Sequence, residues 1–107
     1  MTETKNPPAH PRGIDTDLDL LTAQVEALHE LAADPEASQH SGRIYDLSIN
    51  WGVMLAGRLE RLNHYHRQGR LTAAEEQRYQ QLGAQLRHAM PLVERFDLAR
   101  PRLEEAE

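Results

Sequence analysis

The chain has 107 residues, 39% of them hydrophobic and 27% charged, with a formal net charge of −5 and no cysteine. That length fits one domain, and the missing thiols exclude disulfides, thiol nucleophiles and cysteine metal sites. The longest uncharged run, Leu47 to Gly57, is eleven residues, against the roughly 20 a membrane helix needs.

Residues 1–13, with Pro7, Pro8, Pro11 and Gly13, read as a disordered tail. They carry no apolar core of a signal peptide, so the expectation is a cytoplasmic protein. A single helical domain is expected over 14–100. Its first helix, about 15–33, carries the stripe Ile14, Leu18, Leu21, Val25, Leu28 and Ala32, with Asp15 or Thr16 as the opening cap. Asp34-Pro35 breaks it, because proline cannot continue the preceding helix. A short helical turn fits within 35–42 before Ser41 and Gly42 lead into a long helix of about 43–68.

The stretch Gly69-Arg70-Leu71-Thr72 ends that helix and starts the next. Glycine enters the left-handed conformation after a C-cap without steric cost. Thr72 with Glu75 three positions on forms a capping box. So short a connection predicts antiparallel neighbours. Facing positions then pair Leu62 with Tyr79, Leu59 with Leu82, Leu55 with Leu86 and Trp51 with Met90. The apolar positions 44, 47, 51, 55, 59, 62 and 79, 82, 86, 90, 93, 96 alternate steps of three and four on both arms. The second arm spans about 73–98, and Pro91 kinks it without ending it, because Val93 and Phe96 keep the stripe in phase. Residues 101–107 read as a flexible acidic tail. The fold class is therefore all-α: a long antiparallel helical hairpin with a preceding amphipathic helix, a three-helix bundle that dimerises.

Charge divides along the chain. Residues 1–40 carry a net charge of −6 and residues 41–100 a net charge of +3. An acidic first helix docking on a basic hairpin accounts for this split. Alternatively Arg58, Arg61, Arg67, Arg70 and Arg78, near the hairpin tip, contact an anion or an acidic partner. The negative total argues against nucleic acid as a general partner.

The helix through Ile49-Asn50-Trp51-Gly52-Val53-Met54-Leu55-Ala56-Gly57 is apolar nearly all round, so it is buried on more than one side. Gly52 and Gly57 each cost a helix up to about 1 kcal/mol relative to alanine, which points to close approach by another element. Either the first helix covers the face made by Ile49, Gly52, Val53, Ala56 and Gly57, or a second copy does. The first helix is shorter than the hairpin arms, so a homodimer interface is expected.

Of six histidines, His29 stands three residues after Glu26, the helical spacing at which bundles present a carboxylate and an imidazole to a metal. One pair is half of such a site, and an exposed histidine beside an apolar stripe is the plainer reading. No cofactor is expected. Arg61 followed five positions on by His66 resembles the arginine and histidine pair of the HEPN superfamily, helical domains that include metal-independent ribonucleases. That resemblance implies catalysis in which Arg61 stabilises charge on a cleaved phosphodiester and His66 moves the proton. Here Leu62 stands where the family has a polar residue, and it belongs to the packing stripe. A surface arginine with a histidine at the helix C-terminus is the structural alternative.

These readings lead to a non-enzymatic protein–protein interaction or regulatory module, homodimeric, with an unidentified protein partner and no membrane. The alternatives are a HEPN-like ribonuclease or degenerate HEPN domain, and a metal-binding helical bundle.

Overall fold

The computed structural model of the protein describes residues 10–103, which form helices and connecting segments with no strand among them. Helix α1 runs Ile14–Ala33 behind Gly13, whose φ of 80° only glycine adopts freely. Neither Asp15 nor Thr16 caps it. Starting at Ile14 buries that side chain to 1% exposure and leaves the first-turn aspartates available to arginines of other helices. Ile14, Leu18, Leu21, Val25 and Leu28 enter the core, while Ala32 is half-buried.

After α1, Asp34 accepts hydrogen bonds from the Glu36 and Ala37 amides at 3.0 and 3.1 Å. These two bonds, Ala37 the stronger, hold its carboxyl below the ordinary value. A 3₁₀ turn, Ala37–Gln39, follows. Helix α2, Ser41–Met54, begins slightly before the expected start because His40 Nδ1 accepts from the Arg43 amide. It passes into a π-helical turn, Leu55–Leu59, and then α3, Glu60–Arg67. Four residues of α-helix overshoot one turn by about 40°; the wider π turn removes most of that overshoot. Leu55, Leu59 and Leu62 are all buried as a result.

The turn after α3 has the predicted chemistry. Gly69 has φ 68°, its amide donates to the His66 carbonyl, and the Arg70 amide donates to the Tyr65 carbonyl. This is a Schellman closure. The Arg70 guanidinium lies 4.9 Å from the Tyr65 ring centre, on the same two residues that the closure joins. Helix α4, Ala73–His88, opens on the capping box, with both reciprocal Thr72 and Glu75 hydrogen bonds formed.

Pro91 does more than kink the second arm. Helix α4 stops before Ala89, and Met90–Arg95 forms a separate short helix, α5, with the proline in its first turn. There its missing amide has no carbonyl to satisfy. The break rephases the stripe: Ala89 is fully buried and Met90 only half-buried. Helix α5 closes through Asp97, a non-glycine residue at φ 56°. The Leu98 amide donates to the Val93 carbonyl at 2.9 Å, and both side chains are buried.

The chain after α5 is docked. Trp51 Nε1 donates to the Ala99 carbonyl at 2.7 Å, and Asn63 Nδ2 donates to the Arg102 carbonyl at 2.9 Å. Leu103 packs against the core. Of the expected acidic tail, residues 101–103 therefore lie on the helices, and residues 104–107 fall outside those described. At the other end Pro11 is buried, so residues 10–13 also lie against the fold, while the tail expected over residues 1–9 falls outside the described residues.

Candidate functional site

Three of the arginines on either side of the Gly69 turn, Arg58, Arg61 and Arg78, meet the acids of α1. Asp17, with its side chain 3% exposed, accepts from Arg58 Nη1 at 2.6 Å and from Arg61 Nη1. Arg61 also donates through Nη2 to the Arg12 carbonyl. One turn away, Arg78 bonds Asp19 at 2.6 Å and Asp15 at 3.2 Å. The Asp19 bond raises the Arg78 pKa against the opposing effect of burial. Spacing explains the set: Asp15 and Asp19 share one edge of α1 at i, i+4, and Asp17 points elsewhere. Three of the five arginines proposed as anion contacts thus hold α1 in place. Arg70 lies over Tyr65 and donates to Gln68 Oε1; Arg67 is exposed in the last turn of α3.

His66 belongs to a second network. Its Nδ1 is 2.9 Å from both carboxylate oxygens of Glu76, and its ring stacks on Tyr79 with centres 4.5 Å apart. The Tyr79 hydroxyl donates to Asn63 Oδ1 at 2.5 Å, and Asn63 is 1% exposed. A buried amide with both ends bonded meets the satisfaction rule for polar groups in a core. Arg61 therefore faces α1 while His66 faces α4, and their polar atoms have separate partners.

Asn63 and its carbonyl partner are the polar residues that sequence reasoning missed. Asn63 sits in the polar run Asn63-His64-Tyr65-His66, which reads as surface. Only its position one residue after the striped Leu62 could have suggested burial.

A third contact tethers the chain before α1. His10 Nε2 lies 2.9 Å from Glu75, the capping-box carboxylate. Burial would raise the Glu75 pKa, but the Thr72 amide and His10 outweigh it, and the net shift is downward.

Glu26 and His29 are both exposed on α1. The His29 ring lies 6.2 Å from that of His88, and no three histidine or acidic side chains among the described residues gather around a metal position. The cleft between Leu59, Asn63, Tyr79, Leu86 and Leu103 holds about 10 Å³, at the lower bound for one water.

The outer face of α2 differs from all of these. Tyr45, Ile49 and Val53 are 64%, 49% and 65% exposed, and Ala56 and Gly57 continue the exposed face. A Cβ added at Gly52 or Gly57 would meet nothing within 4 Å. Helix α1 therefore does not cover this face, and the reading in which it did is set aside. It packs instead beside Leu47 and Asn50, across a groove lined by Gln24 and Ala27.

The protein is thus an all-helical one, and no helix of the described residues is long and apolar enough to cross a membrane. No family model, no curated protein and no solved structure matches the chain.

Proposed function

We propose that this chain is a non-enzymatic protein–protein interaction module that works as a homodimer, with the outer face of α2 as its contact surface. The observation that carries the reading is the exposure of Tyr45, Ile49 and Val53 along one helical face. Contiguous apolar surface of this kind marks interaction sites, whereas single exposed apolar residues do not. The charged groups favour the same reading, because Arg58, Arg61, Arg78 and His66 are engaged within the chain.

The architecture proposed with it is a hairpin of α2–α3 against α4–α5, with α1 as third helix. Contacts across the Gly69 turn, Asn63 to Tyr79 and His66 to Glu76, support that register. A cytoplasmic location and a regulatory role, with a further protein as partner, belong to the same proposal.

Val53→Glu tests it. A carboxylate in an apolar interface costs several kcal/mol. Light scattering should give a dimeric mass for the unmodified protein and a monomeric, still helical, Val53→Glu variant. A monomeric mass for the unmodified protein at high micromolar concentration would overturn the homodimer.

A further inference from the structure

We infer that the α2 face takes a second copy of this chain in antiparallel orientation, with Tyr45 of each protomer seated on Ala56 and Gly57 of its partner. The inference rests on the homodimer proposed above and adds its geometry.

The exposed stripe is graded in size. Its N-terminal half presents Tyr45 and Ile49, and its C-terminal half presents Gly52, Ala56 and Gly57 around Val53. Two copies aligned in parallel would set Tyr45 against Tyr45 and glycine against glycine, leaving one end crowded and the other empty. Antiparallel copies bring each bulky half onto a small half, as close packing requires. The glycines fit this arrangement. A helix-interior glycine lowers stability relative to alanine, and at Gly52 and Gly57 no contact within the chain accounts for it, since an added Cβ meets nothing. The missing side chains leave room for an outside surface.

Charge makes the same choice. Asp46 lies three residues after Arg43 and four before Asn50, which both line the groove against α1, so Asp46 sits on the α1-facing edge of the stripe. At the opposite end of that edge, Gly57 lines an open groove with Arg12, Arg58 and Arg61. The twofold axis of an antiparallel helix pair keeps the α1-facing edges of the two copies side by side and reverses them end to end. Asp17, which also lines that groove, already pairs with Arg58 and Arg61, so each Asp46 then faces the partner's Arg12. In parallel copies the twofold axis runs along the helices and carries the two α1-facing edges to opposite sides, so each Asp46 stays at its own end and away from the partner's Arg12.

The chain has no native cysteine, so disulfide trapping has a clean background. Tyr45→Cys and Ala56→Cys, at the contact proposed, are made singly, mixed and oxidised. Antiparallel copies should give the mixed disulfide, with neither variant forming a covalent dimer alone. Eleven helical residues rise about 16 Å, so an antiparallel protomer holds position 45 well away from its own counterpart, beyond the roughly 7 Å limit between Cα atoms. Self-linking of each variant alone would overturn the orientation and leave the homodimer standing. A dimeric mass with no disulfide in any mixture would place the interface elsewhere. A monomeric unmodified protein would overturn both readings.

The charge contact has its own arm. Asp46→Arg should raise the dimer Kd about tenfold by setting like charges together, and adding Arg12→Asp should recover most of that loss. An unchanged Kd for Asp46→Arg would overturn the charge argument and with it this placement of the edges.

Discussion

Replacing Asp17 with alanine tests whether the basic cluster is structural. Its carboxylate is nearly inaccessible, and it accepts from two guanidiniums whose side chains are 40% and 35% exposed. Breaking a fully buried ion pair by removing one partner costs about 3–5 kcal/mol, mostly because the remaining charge stays buried. Here Arg58 and Arg61 can swing partly into water, so the cost falls toward that of lost charge-assisted hydrogen bonds, about 2–3 kcal/mol. For a domain of this size that is a drop in Tm of roughly 10–20 °C.

Urea unfolding followed by Trp51 fluorescence is the assay. This is the chain's single tryptophan, and at 1% exposure it should report loss of the core. The midpoint should fall with the slope unchanged, as for a pure stability change. Asp15→Ala is the control, since its side chain is 72% exposed and such pairs contribute about 0–1 kcal/mol. A loss below about 0.5 kcal/mol for Asp17→Ala would refute the reasoning. If Arg58 and Arg61 instead formed a site for an external anion, the variant should remain stable and bind phosphate more tightly.

Three further outcomes are expected. Gly52→Ala should stabilise the diluted, monomeric protein by up to about 1 kcal/mol through helix propensity while weakening association, which denaturation over a range of protein concentrations separates. Glu75 has a folded-state pKa below its ordinary 4.5, so its contribution is complete above that value and disappears as pH falls through the lower folded value. Glu75→Gln should accordingly differ from the unmodified protein at neutral pH and converge with it in acid. Purified protein should leave tRNA and structured RNA intact; cleavage abolished by both Arg61→Ala and His66→Ala would reverse the functional reading.

Local grammar was the most legible part of the chain. Gly69 at positive φ and the reciprocal bonds of Thr72 and Glu75 follow from residue types whose preferences are short-range, so no tertiary context was needed to foresee them. The buried stripe Leu55, Leu59, Leu62, Leu82 and Leu86 was legible for the same reason, as periodicity is a property of the helix itself. Features fixed by distant contacts were not. The His40 cap uses a residue seldom found in that role, and the π turn leaves the spacing of apolar residues almost unaltered. The segment after α5 is held through its carbonyls by Trp51 and Asn63, and backbone acceptors leave no trace in side-chain pattern.

For the candidate sites, the balance of charge was readable and the pairing was not. A net negative first third and a positive remainder foretold attraction between α1 and the rest. Which arginine meets which aspartate depends on the azimuth of each side chain, and a step of two residues along α1 separates Asp17, buried against Arg58 and Arg61, from the exposed edge that holds Arg78. The exposed face of α2 was legible as apolar, but its covering by α1 or by another chain could be decided only once α1 had a position.

That position follows from the ion pairs. With Asp17 locked between Arg58 and Arg61, α1 crosses α2 and the π turn on the side of Leu47 and Arg58 and cannot roll over toward Val53 without burying unpaired charge. On a second side Trp51 and Leu55 face the core, where the Ala99 carbonyl meets the indole. Two flanks of α2 are therefore closed by the chain's own charges and backbone, and the third, carrying Tyr45, Ile49 and Val53, is left apolar and open. The electrostatics that remove the arginines from consideration as an anion site thereby expose the surface on which the dimer reading rests. Weakening the Asp17 lock should loosen α1 and, with it, the groove beside Gly57 that the partner's Asp46 would need.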